Sequence, residues 1–79
     1  MTTFEKLIEI FKNIITDSKV DINSITPKTN IFEDLGLNSI GIMYMVLAIE
    51  DEFNILMHNS SIEKFKTVED VIEYIEENQ

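Results

Sequence analysis

Apolar residues return every three or four positions through the first fifteen residues. Phe4, Leu7, Ile8, Phe11, Ile14 and Ile15 fall at i, i+3, i+4, i+7, i+10 and i+11, the single stripe of an amphipathic helix. Thr2 and Glu5 have the spacing of a capping box, in which each side chain satisfies the other's free backbone N–H. Glu5, Lys6, Glu9, Lys12 and Asn13 give this predicted helix a solvated face, and it should fade near Thr16 to Ser18. From residue 18 to 38 periodicity is lost. Asp21, Asn23, Ser24, Pro27, Asn30, Asp34 and Gly36 interrupt it, while Val20, Ile22, Ile25, Ile31, Phe32, Leu35 and Leu37 supply apolar anchors. That mixture predicts a long loop folded against the rest of the chain, with a short helical turn around Asp21 to Ile25.

A second helix should begin at Asn38 or Ser39 and run to about Phe53. It carries two apolar stripes rather than one. Ile42, Met45, Val46, Ile49 and Phe53 form the first; Ile40, Met43, Tyr44 and Leu47 form the second. Either the helix is buried on most sides, or one stripe faces solvent and awaits a partner. Residues 54 to 61 read as a turn, followed by a short helical turn over Ile62 to Phe65 capped by Ser60 or Ser61. The last helix opens at Thr67 with Asp70 closing a capping box. Its core stripe is Val68, Val71, Ile72 and Ile75, and its outer face is Glu69, Asp70, Glu73, Glu76 and Glu77. The expectation is an all-α fold, a small helical bundle of three main helices plus one short helix. A long structured loop joins helices 1 and 2, and residues 1–79 make a single domain.

Composition narrows the function. The chain has 79 residues, and 6 basic side chains, all Lys, stand against 15 acidic ones for a net charge of −9. Phosphate backbones and anionic membranes both require basic surface, so nucleic acid and membrane are excluded as partners. An apolar fraction of 44% is too high for a disordered acidic tail. Without Cys, and with His58 as the sole His, there is no disulfide framework, no metal cluster and no nucleophile–base pair. His58 and the Asn59-Ser60-Ser61 sequon read as solvated turn residues. Charges inside the N-terminal apolar pattern exclude a signal-peptide core, and no apolar run approaches the ~18 residues of a membrane span. A cytoplasmic monomer is expected.

The strongest local signal is Asp34-Leu35-Gly36-Leu37-Asn38-Ser39-Ile40. Gly36 permits a backbone conformation costly for other residues, and the chain then turns into the second helix at Ser39. A serine there lies beside unpaired backbone N–H groups at the positive end of the helix dipole, a favourable place for a phosphate ester. The plainer alternative is that Ser39 or Asn38 only caps the helix.

The stretch NIFEDLGLNSIGIMYMVLAIEDEFNI resembles the acyl carrier protein family. The family's Leu-Gly-x-Asp-Ser-Leu motif stands here as Leu35-Gly36-Leu37-Asn38-Ser39-Ile40, and its Glu-x-x-Phe-like helix end as Glu50-Asp51-Glu52-Phe53. The resemblance extends through the first helix, the loop and the final helix. It implies a carrier rather than an enzyme. Ser39 would receive 4'-phosphopantetheine from coenzyme A through a Mg²⁺-dependent phosphopantetheinyl transferase, with Asn38 flanking it as the cap. The arm's thiol would hold acyl groups as thioesters, which accounts for a chain without Cys. Partners would be acyl-loading and acyl-transferring enzymes with basic or apolar docking surfaces, in fatty-acid or specialised, polyketide-like biosynthesis. They would meet Ile40, Met43, Tyr44, Leu47 and Asp51, with Asp34 and Glu50 adding to the steering of basic surfaces. The other stripe would help to line the space an acyl chain enters. Three positions depart from the family pattern. Asn38 replaces the usual Asp, and Gly41 and Tyr44 stand where fatty-acid carriers commonly have acids. The alternatives are an aminoacyl, peptidyl or D-alanyl carrier, and an unmodified acidic helical adaptor.

Overall fold

Four α-helices in chain order form the protein in a computed structural model describing residues 1–79: α1 Thr3–Ile14, α2 Ser39–Phe53, α3 Asn59–Ile62 and α4 Val68–Asn78. A single 3₁₀ turn, Ile22–Ser24, interrupts the long connection between α1 and α2. It lies where the short turn was expected, because the Asp21 carboxylate accepts the Asn23 N–H at 2.9 Å and fixes its start. The two capping boxes form as read from the sequence. Thr2 and Glu5 close one, and Thr67 and Asp70 close the other. Hydrogen bonds from the cap-residue N–H groups hold both carboxyls below the ordinary carboxylate range, that of Thr2 on Glu5 and that of Thr67 on Asp70.

Eighteen buried residues, all apolar, make the core, with Phe11, Leu7, Ile31, Met45, Ile49 and Ile75 the largest side chains fully enclosed. The inner stripe proposed for α2 (Ile42, Met45, Val46, Ile49 and Phe53) is buried throughout. From α4 Val68, Val71 and Ile75 enter the core, and Ile72 packs against it half-buried. The buried face of α1 differs from the expected stripe. Leu7, Ile10 and Phe11 are buried, whereas Phe4, Ile8, Ile14 and Ile15 are only partly covered. The reason is that α1 packs against α2, α4 and the 3₁₀ turn together, so Ile10, off the stripe, is enclosed as well.

Two boundaries also move. Helix α1 stops at Ile14, short of the expected Thr16 to Ser18, because Asp17 draws the chain into a turn: its carboxylate accepts the Lys19 N–H at 2.9 Å and its carbonyl the Val20 N–H at 3.1 Å. The short helix expected over residues 62 to 65 sits at Asn59–Ile62 instead. Its first bonds run from Ser61 and Ile62 N–H to the His58 carbonyl, and His58 caps without a side-chain bond. Residues 63 to 65 follow in tight turns that carry Phe65 into the core.

The long loop is held by backbone pairing. Ile31 N–H donates to Lys66 O at 2.9 Å, Val68 N–H to Thr29 O at 3.0 Å and Glu69 N–H to Pro27 O at 2.7 Å. Asn30 and Thr67 thereby make an isolated antiparallel bridge at the start of α4. The capping box of α4 and the loop leading to Ser39 are thus parts of one hydrogen-bonded junction.

Candidate functional site at the start of α2

From Asn30 the chain makes a turn that behaves as a short capped helix. The Asn30 side-chain oxygen accepts the N–H groups of Phe32 and Glu33, both at 2.8 Å. The Asp34 carboxylate returns to the Asn30 N–H at 2.8 Å. Gly36 ends this turn at φ 67° and donates its N–H to Phe32 O at 3.1 Å, the left-handed stop that glycine takes without a Cβ penalty. Leu35 and Leu37 on either side are buried, so the turn is pinned to the core at both shoulders.

Asn38 then lies in extended conformation as the N-cap, its side-chain oxygen accepting the Gly41 N–H at 2.9 Å and its carbonyl the Ile42 N–H at 2.9 Å. Capping therefore falls to Asn38. Ser39, the first helical residue, is exposed and its hydroxyl has no hydrogen-bond partner within the protein. The N–H groups of Ser39 and Ile40 also lack backbone acceptors and face the positive end of the α2 dipole. A phosphodiester on the Ser39 oxygen fits this setting: the hydroxyl is free, two N–H donors are adjacent, and no acidic side chain stands in the first turn of the helix.

The outer stripe of α2 is a solvent face. Ile40, Met43, Tyr44 and Leu47 are each between 56% and 66% exposed, which decides between the two readings of the double stripe. From Ser39 to Ile49 the helix carries no charged side chain; the acids Glu50, Asp51 and Glu52 are confined to its end. Of the three acids expected to steer partners, two have internal duties. Asp34 holds the Asn30 turn, and a Glu50 carboxylate oxygen accepts the Met57 N–H at 2.9 Å. Asp51 is exposed and makes no side-chain hydrogen bond or ion pair.

Beside this turn lies an open groove of about 340 Å³ between the end of α1 and the start of α2, with Ile14, Ile15, Asp17, Ile40, Gly41 and Tyr44 among its walls. The buried stripe of α2 lines neither this groove nor a smaller one of about 200 Å³ between α3 and α4. Sequence reasoning assigned no part to Ile14, Ile15 or Asp17 here, because they belong to a different helix end. Leu56 after α2 is also exposed, to 77%, between the buried Ile55 and Met57, and three consecutive apolar residues carry no signal of which one faces out.

The family model described as "Phosphopantetheine attachment site" matches residues 5–75. An acyl carrier protein of Helicobacter hepaticus is 35% identical over 79 residues, covering all of both chains. One from Phytoplasma australiense is 38% identical over 73 residues, 91% of this chain and 96% of that one. Among solved structures, the acyl carrier protein from Enterococcus faecalis, described for its high thermal stability, superposes with a TM-score of 0.75 at 34% identity over the full length of both chains. The chain belongs to the acyl carrier protein family. Its cofactor is phosphopantetheine, its role is that of a carrier rather than an enzyme, and its partners are biosynthetic enzymes. No helix is long and apolar enough to cross a membrane.

Proposed function

We propose that Ser39 is the attachment residue and that the protein carries acyl intermediates to enzymes of fatty-acid or specialised, polyketide-like biosynthesis. The observation that carries this reading is the division of labour at the start of α2: Asn38 caps the helix and leaves the Ser39 hydroxyl exposed and unbonded. The linkage is a phosphodiester. The Ser39 Oγ–P bond forms, the pyrophosphate P–O bond of coenzyme A breaks, adenosine 3',5'-bisphosphate leaves, and the hydroxyl proton passes to a base of the transferase. The terminal thiol of the arm supplies the thioester chemistry that a chain without Cys lacks. The N–H groups of Ser39 and Ile40, which have no backbone acceptor, would hold the phosphate charge, and Gly36 with the buried Leu35 and Leu37 keeps the turn that would present it.

Ile40, Met43, Tyr44 and Leu47 form the docking face, with Asp51 at its far end for a basic partner group. The Met residue suits a face that meets several enzymes, because its side chain repacks at low cost. Incubation with coenzyme A, Mg²⁺ and a broad-specificity phosphopantetheinyl transferase, followed by intact mass, tests the assignment. One added arm in the wild type and none in Ser39→Ala is the expected result. Modification of Ser39→Ala, or none of the wild type, overturns it.

A further inference from the structure

Gly41 is a puzzle within α2. It is the third residue of the helix, in the first turn, where its N–H is held by the Asn38 cap, and it has no positive φ that would call for glycine. A Cβ built at Gly41 would stand 3.0 Å from Leu37 Cδ2 and 3.7 Å from Asn38 Oδ1, both of them residues of the groove that Gly41 also lines.

The groove has a definite chemical character. Its walls include the aliphatic Ile14, Ile15 and Ile40 and the exposed ring of Tyr44, with the polar Thr16 and Asn38 beside them, and Asp17 is its one charged lining residue. Asp17 is exposed, and one of its carboxylate oxygens accepts only the Lys19 N–H. No Lys lines the groove. A groove with aliphatic and aromatic lining residues and a single carboxylate suits a long basic side chain: stem against the isoleucines, cation at Asp17 or over the ring. The location adds a second argument. Gly41 and Tyr44 lie on one flank of α2, whereas Ser39 and Met43 lie on the other. A side chain seated here holds α2 without covering the Ser39 hydroxyl.

We infer that this groove receives an Arg or Lys side chain of the phosphopantetheinyl transferase, with Asp17 as a specificity-determining residue outside α2. The inference rests on Ser39 being the modified residue. Asp17→Asn is its sharpest probe, since the amide oxygen can still accept the Lys19 N–H and the turn is preserved. Initial rates of modification by a broad-specificity transferase, with coenzyme A and Mg²⁺ saturating and the carrier varied, should show KM raised about threefold, the scale of one exposed charge contact, with kcat unchanged. That difference should vanish at high salt, and Asp17→Glu should restore most of the affinity. Gly41→Ala should also raise KM while the helical circular dichroism spectrum is retained. A KM unmoved in Asp17→Asn, or raised equally by Glu77→Gln on α4, overturns the inference and leaves the Ser39 assignment intact. Absence of any modification of the wild type removes both.

Discussion

Replacing Asn38 by alanine removes the acceptor that holds the Gly41 N–H at 2.9 Å and leaves the first turn of α2 without its side-chain cap. The cost of losing such a cap is about 1 kcal/mol, within a range of roughly 0.5–2. Asn38 is exposed, so water can reach the freed N–H and the upper end of that range is not reached. With an unfolding entropy of about 2.1 cal/mol/K per residue, the 79 residues convert a 1 kcal/mol loss into a Tm lower by about 6 °C. Asn38→Asp separates the cap from the charge. It keeps an acceptor in place and sets a negative charge at the positive end of the helix, a gain of about 0.3–1 kcal/mol at low salt. Part of that gain is offset by adding to a net charge that is already −9. The expected order of Tm is Asp at or above wild type, then Ala, with the Asp advantage fading as salt is added. Thermal melts followed at 222 nm, at low and high ionic strength, read this order. An unchanged Tm in Asn38→Ala would refute the assignment of Asn38 as the cap. A lower Tm in Asn38→Asp would mean that whole-molecule repulsion outweighs the local dipole. Modification kinetics on the same proteins make the functional check, because a frayed first turn should slow the reaction at Ser39 in the Ala variant and not in the Asp variant.

Other consequences are as direct. Leu7→Ala, at a fully buried position, should cost about 3–5 kcal/mol, comparable with the whole stability of a domain this size, whereas Leu47→Ala on the exposed stripe should shift Tm negligibly and instead weaken binding of partner enzymes; a Leu47→Ala protein that melts like Leu7→Ala would reverse the assigned faces of α2. Acid titration should lower stability only at acid pH. The capping carboxyls of Glu5 and Asp70 are lowered in the folded state, so their stabilisation is complete above the ordinary carboxylate range, about pH 4, and is lost as pH falls below it. A Tm that declines steadily from neutral pH would contradict this account. Asn54 ends α2 at φ 55°; Asn54→Gly should be neutral or slightly stabilising, and Asn54→Val should cost about 1–2 kcal/mol by chemical denaturation.

What the sequence disclosed and what it withheld follow the range of the interactions concerned. The capping boxes at Thr2 and Thr67, the turn at Asp21 and the inner stripe of α2 depend on residues within one or two turns, and all were legible. The choice between Asn38 and Ser39 as cap was not, because both residue types cap well. It is settled by Leu35 and Leu37, whose burial aims the backbone so that Asn38 faces the Gly41 N–H. The pairing of Asn30 with Thr67 and the groove between Asp17 and Tyr44 join parts of the chain far apart in sequence, which periodicity cannot connect. Spacing showed that α2 had two apolar faces, but only its neighbours could say which was left uncovered.

That uncovered face makes a further demand on the rest of the molecule. An exposed apolar stripe, proposed above to meet partner enzymes, is equally open to a second copy of the same chain. Glu33 and Asp34 precede the stripe in sequence, Glu50, Asp51 and Glu52 follow it, and no Lys occurs from residue 29 to 63. Two such faces brought together would therefore also bring like charges together, while a basic enzyme surface would meet complementary ones. Asp34 and Glu50 serve this arrangement without being free for docking, since their hydrogen bonds to backbone N–H groups leave their negative charge in place. The acidity of the chain and the apolar face of α2 are thus coupled: the charge opposes self-association at the face proposed for docking.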